Sequence, residues 1–110
     1  MSETLKVLGQ SAPEATTDTN IYTVPASRAA VVSSLTVCNR GATEGAFRVA
    51  VRPAGAAIAV AHYVYFDAKL AANSTLAATL GLTLAATDVV TVRASSANFS
   101  FSLFGSEVVV

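Results

Sequence analysis

The sequence predicts an all-β fold: an antiparallel β-sandwich of about eight strands, jelly-roll-like in arrangement. Three observations carry this. Apolar and polar residues alternate with period two along several short segments, the signature of a strand with one buried face. Turn residues interrupt these segments at intervals of about 8–12 residues, the spacing expected of sandwiches and barrels. The length, 110 residues, suits one domain in which two facing sheets each hide one side of every strand.

The strands are expected near 4–8, 20–25, 30–38, 46–52, 62–69, 75–83, 88–94 and 98–105. Between the first two, residues 10–20 lack periodicity and read as a loop, or as an arm that orders on assembly; with the first strand they make residues 1–20 a candidate extended arm. The third segment is an apolar run ending in Cys38, which reads as a small buried hydrophobe. Asn39 to Gly45 is a loop with two glycines. In Ala46–Arg52, Phe47, Val49 and Val51 share one face, and Arg48, Ala50 and Arg52 the other, which turns to water or a partner. Pro53-Ala54-Gly55 ends that strand, since proline offers no ladder donor and glycine permits positive φ.

His62-Tyr63-Val64-Tyr65-Phe66 is aromatic and β-branched throughout, so both of its faces are expected to be covered. The stretch from Ala68 to Leu84 is alanine-rich, and a helical spacing joins Leu76, Leu80 and Leu84. Gly81 interrupts that spacing, and Thr75, Thr79, Thr83 and Thr87 favour a strand. Asn73-Ser74 and Thr87-Asp88 mark tight turns. In the last strand Phe99, Phe101 and Leu103 face in, and Ser100 and Ser102 face out.

Composition narrows the class of function. Hydrophobic residues make up 53% of the chain and charged residues 13%, against about 25% charged in an average soluble domain. Much of the surface must then be Ala, Ser and Thr, which costs little to desolvate against a partner. Seven basic and seven acidic residues leave no net charge, so no basic field gathers nucleic acid. Neutrality also offers little colloidal repulsion, which suits a subunit of an assembly. The N-terminus shows no signal-peptide pattern, and no apolar stretch is long enough to span a membrane as a helix.

The residue types that carry catalysis are sparse. His62 is the only histidine, and it reads as a partly exposed residue at a strand end. Asp67 lies an odd number of residues away, so a regular strand would turn the two apart, and no Gly-x-Ser-x-Gly elbow is present. One Cys and one His do not make a zinc site, and Asp18, Asp67 and Asp88 are scattered. No catalytic residue, cofactor or metal site is therefore expected. Tyr22, Tyr63 and Tyr65 could line a sugar-binding face, although strand tyrosines more often serve the core or cross-strand pairs. Arg48 and Arg52 could grip carboxylates or phosphates, or form a salt bridge to a neighbouring strand or subunit. The chain ends Glu107-Val108-Val109-Val110, an apolar tail suited to pairing with a sheet edge of the same or another subunit. Arg48, Arg52, Val108, Val109 and Val110 are the expected subunit-contact residues, with residues 107–110 as an interface tail.

Several blocks of the sequence carry a family likeness. They are Ile21–Pro25, Ser34-Leu35-Thr36-Val37-Cys38-Asn39-Arg40-Gly41, Phe47-Arg48-Val49-Ala50-Val51-Arg52-Pro53-Ala54-Gly55, Leu82–Val92 and Ser100–Glu107. Together they resemble a family of small virion structural proteins of tailed bacteriophages, from about residue 4 onwards. The blocks are strand and turn signatures and assign no residue roles. The resemblance implies a β-sandwich that assembles on a phage particle after synthesis in the bacterial cytoplasm. Within that class it implies a capsid decoration, or cement, protein. Such a protein forms a homo-oligomer, commonly a trimer, and bridges subunits of the major capsid protein. The alternative is a tail, baseplate or fibre component that joins subunits or touches a host glycan.

Overall fold

Alternating sequence becomes two stacked sheets. The computed structural model describes residues 3–110, and residues 1 and 2 of the candidate arm lie outside the described residues. The strands are β1 (Glu3–Ser11), β2 (Thr19–Thr23), β3 (Arg28–Asn39), β4 (Gly45–Arg52), β5 (Tyr63–Leu70), β6 (Ser74–Leu84), β7 (Val89–Ala94) and β8 (Phe99–Val109). Each overlaps one expected segment. The alanine-rich stretch is strand β6, whose residues alternate between half-buried and exposed along its length.

One sheet has the order β1-β8-β3-β6 and the other β2-β7-β4-β5. Every pair is antiparallel. The order has a simple origin. Folding the chain as one long hairpin, with its tip between β4 and β5, pairs β1 with β8, β2 with β7, β3 with β6 and β4 with β5. Rolling that ribbon adds β3–β8 and β4–β7, which complete the two sheets. This is jelly-roll connectivity.

The inner faces supply the core. Phe47 of one sheet meets Phe99 and Phe101 of the other at ring-centroid distances of 6.3 and 6.1 Å, with Tyr65 at 5.4 Å beside it. Phe99, Phe101 and Leu103 are buried, while Ser100 and Ser102 face out, as the alternation requires.

Three local expectations change. β5 is an edge strand, so Tyr63–Phe66 is not covered on both faces: Val64 and Phe66 are exposed. Cys38 is only half-buried, because it lies on the outer face of its sheet between Ser100 and Thr75. Ala50, placed on the water-facing side of β4, is fully buried, flanked by Arg48 and Arg52 and paired with Tyr63 and Thr91. Of the candidate arm, β1 pairs with β8 as far as Ser11, residues 12–18 form the loop to β2, and Thr16 N–H donates to Ala94 O at 2.7 Å.

Antiparallel pairing gives the sandwich two unlike poles on a body of 46 × 27 × 19 Å. At one pole lie the β2–β3, β4–β5 and β6–β7 connections, the start of β1 and the end of β8. Hydrogen bonds join them: Val24 N–H to Asp88 O at 3.0 Å, Thr87 N–H to Val24 O at 2.9 Å and Val110 N–H to Ser27 O at 3.0 Å. At the other pole the buried Asn39 amide donates to Thr43 O and Leu70 O, and its oxygen accepts from Gly41 N–H.

Candidate functional site

The exposed apolar side chains are not scattered. Among the described residues nine large hydrophobic side chains are exposed, and all belong to the first pole. They are Leu5 and Val7 of β1, Val31 of β3, Ile58 and Val60 of the β4–β5 connection, Val64 and Phe66 of β5, and Val109 and Val110. None lies beyond the middle of its strand. Leu5 is 80% exposed and Val60 90%. The connections of the opposite pole (residues 12–18, 40–44, 71–73 and 95–98) contain no large hydrophobic residue. Large contiguous apolar patches are candidate interaction surfaces, whereas single exposed apolar residues need no explanation.

Register explains the cluster. Residues directly opposite in an antiparallel pair point to the same side. The outer face of the first sheet therefore carries the rows Glu3–Val108–Ala29, Leu5–Ser106–Val31–Thr83 and Val7–Phe104–Ser34–Thr79. Further from the apolar pole the rows become Gln10–Ser102–Thr36–Ala77 and Ser100–Cys38–Thr75. One face thus passes from apolar to hydroxyl-rich along its length.

Lys6, Arg28, Glu107 and Asp88, all at this pole, are engaged within the chain. Glu107 is buried, and its Oε2 accepts a 2.6 Å hydrogen bond from the Tyr22 hydroxyl. Lys6 Nζ and Arg28 Nη1 each stand 3.5 Å from its Oε1. The Tyr22 bond, aided by the two cations, holds the Glu107 carboxyl below the usual carboxylate range. Burial and then this anion push the Tyr22 phenol well above its ordinary value. Asp88 accepts from Ala54 N–H at 2.8 Å and Ala85 N–H at 2.9 Å, closing two connections.

The tail lies inside the sheet. Val108 pairs with Glu3 and Ala29, and Val109 pairs with Arg28, so the backbone is satisfied by β1 and β3 of the same chain. The side chains of Val109 and Val110 remain exposed and join the apolar pole.

Both candidate arginines are engaged on the outer face of the second sheet. Arg48 forms a bidentate pair with Asp67 of β5, Nε–Oδ1 2.7 Å and Nη2–Oδ2 3.2 Å, and lies 4.1 Å over the Phe66 ring. That pair holds the Asp67 carboxyl below its usual range. Asp67 itself bulges from β5 with φ 52°. Arg52 donates to Thr91 Oγ1 at 3.0 Å, Asn20 Oδ1 at 2.9 Å and Ala56 O at 3.0 Å, pinning the connection that carries Ile58 and Val60. Beside Arg48 a cleft of about 310 Å³ is walled by Asp67, Lys69, Arg93 and Thr16. Lys69 and Arg93 had no signal in the sequence, because only register sets them next to Arg48.

His62 is half-buried at the start of β5, and its Nδ1 accepts from Ala59 N–H at 3.1 Å, while Asp67 turns to Arg48 instead. Tyr22 and Tyr65 serve the core, and Tyr63 packs edge-on against Phe66 at 4.8 Å. Among the described residues no three His, Cys, Asp or Glu side chains stand close enough to hold a metal ion. No protein-family model matches the sequence, and no curated protein matches it.

Proposed function

We propose that this protein is a structural subunit of a tailed-phage virion, a decoration protein that seats its apolar pole on the capsid shell and bridges coat subunits. The observation that carries this reading is the concentration of exposed apolar side chains at one pole of a jelly roll with no net charge. A freely dissolved monomer gains nothing from Leu5, Val60 and Val110 in water. An assembly subunit gains by burying them, at about 25 cal/mol per Å² before the costs of association. The reading also rests on the resemblance of the strand and turn blocks to small virion proteins.

The mechanism is thermodynamic. A protein that binds only the mature shell stabilises that shell by mass action. Many copies multiply a modest energy at each site. The opposite, polar pole then faces solvent, where the Asn39 side-chain hydrogen bonds and the bond from Arg40 N–H to Asn98 O keep the connections in shape.

Counting copies in purified virions tests the reading. A decoration protein is present in hundreds of copies and is visible on the shell by electron cryomicroscopy. A few to some dozens of copies, located on the tail, would instead establish a tail, baseplate or fibre component. Saturable binding on a glycan array would assign it to host adhesion.

A further inference from the structure

We infer that the free edge of β6 is a homotypic contact, in which a second copy of this chain pairs its own β6 antiparallel across a two-fold axis at Thr79. This inference goes beyond the capsid reading and does not depend on it.

The sandwich has four edge strands, and three of them are blunted. β1 carries Lys6 and a bulge at Leu8. β2 has only five residues and is irregular at Ile21. β5 is broken by Asp67 and carries Lys69. Monomeric proteins protect sheet edges by such means. β6 is eleven residues long and carries no charge and no proline. The uncharged run extends from Leu70 to Thr87. Among the described residues no backbone N–H of residues 75–84 donates to any partner but β3. The one irregularity of β6, between Thr79 and Leu82 opposite Ser33, leaves its side-chain alternation intact.

The strand is also complementary to itself. Its sequence, Ser-Thr-Leu-Ala-Ala-Thr-Leu-Gly-Leu-Thr-Leu, is centred on Thr79. Reversed about that centre, Thr75 meets Thr83, Leu76 meets Leu82, Ala77 meets Gly81 and Ala78 meets Leu80. Directly opposite residues share a face, so the leucines of both copies meet on the core side and the threonines on the outer side. An isologous contact requires this self-complementarity. Gly81 gives a second indication. A side chain there would meet nothing within 4 Å, and its φ is not positive, so nothing inside the chain requires glycine. Glycine in a strand marks a bulge, as between Thr79 and Leu82, or close approach by another backbone, and the bare Gly81 leaves the outer face of β6 open to one.

The area suffices. Eleven residues span about 37 Å, and with a thinnest body dimension of 19 Å the flank offers about 700 Å² per copy. A standard interface buries about 800 Å² per partner. Half-buried Leu76, Leu80 and Leu82, with Tyr65 and Leu70 of the adjoining β5 edge, would be covered by it.

Sedimentation of the purified full chain at micromolar concentration tests the proposal. The wild type is expected to be a dimer. Thr75→Lys with Thr83→Lys sets lysine against lysine twice across the axis and is expected to leave a monomer with unchanged circular dichroism. Thr75→Lys with Thr83→Glu sets opposite charges face to face and is expected to restore the dimer. Both sites are exposed, and the charge-swapped pair controls for folding. A monomeric wild type, a trimer, or a dimer that survives the lysine pair would overturn the proposal.

Discussion

The Tyr22 hydroxyl lies 2.6 Å from Glu107 Oε2, and the contact joins β2 of one sheet to β8 of the other at the apolar pole. Both residues are buried, so each is the other's replacement for water. Tyr22→Phe removes the bond but leaves Glu107 with Lys6 and Arg28, and should cost ~1–2 kcal/mol. Glu107→Ala strands the phenol without its acceptor and should cost ~2–3 kcal/mol. Urea unfolding of the two variants should rank them in that order, and equal values would deny Glu107 its additional role with the cations.

The same pair predicts a pH dependence at both extremes. Folding depresses the Glu107 carboxyl below its ordinary 4.5, chiefly through the Tyr22 bond, so its stabilisation is present above pH 4.5 and lost as pH falls below it. Folding raises the Tyr22 phenol above its ordinary 10.0, chiefly by burial, so that contribution is intact below pH 10.0 and lost as pH rises beyond it. Melting temperatures should fall on both flanks. Glu107→Gln should flatten the acid flank and Tyr22→Phe the alkaline one.

Arg52 ties three segments together through Thr91, Asn20 and Ala56. Arg52→Ala should free the connection bearing Ile58 and Val60, with a global loss of ~1–2 kcal/mol. Limited proteolysis should cut between residues 56 and 62 faster in the variant than in the wild type, and Arg52→Lys should rescue only part of the protection, since one ammonium cannot reach all three partners.

Leu5 and Val60 are almost fully exposed, so Leu5→Gln with Val60→Gln should change stability by no more than about 0.5 kcal/mol per site. Binding to capsid shells, followed by co-sedimentation, should fall sharply. Unchanged binding would remove the apolar pole from the proposed contact.

Much of this architecture was legible in the chain. Period-two alternation is a local property; together with the turn residues it located all eight strands, and by itself the inward sets Phe47–Val49 and Phe99–Phe101–Leu103. The turn residues worked for a local reason too: Asn73 and Thr87 adopt the positive φ of 54° and 69° that tight turns use. The tail valines were legible as sticky and suited to strand pairing, but not whether the paired strands belong to the same chain, as β1 and β3 do.

What the tertiary structure alone decided is everything that depends on which strands lie side by side. An aromatic, β-branched run reads the same at the centre of a sheet or at its edge, so the exposure of Val64 and Phe66 followed from the placement of β5 and not from its residues. Glu107 is buried only because register brings Tyr22, Lys6 and Arg28, from three other strands, around one carboxylate. The single apolar pole has the same cause. Sequence by itself determined a net-neutral, charge-poor all-β sandwich with a surplus of apolar residues to place. Antiparallel wrapping placed Leu5, Val31, Val60 and Val110, far apart in the chain, at one end of it, because pairing between distant strands is not encoded in any local period.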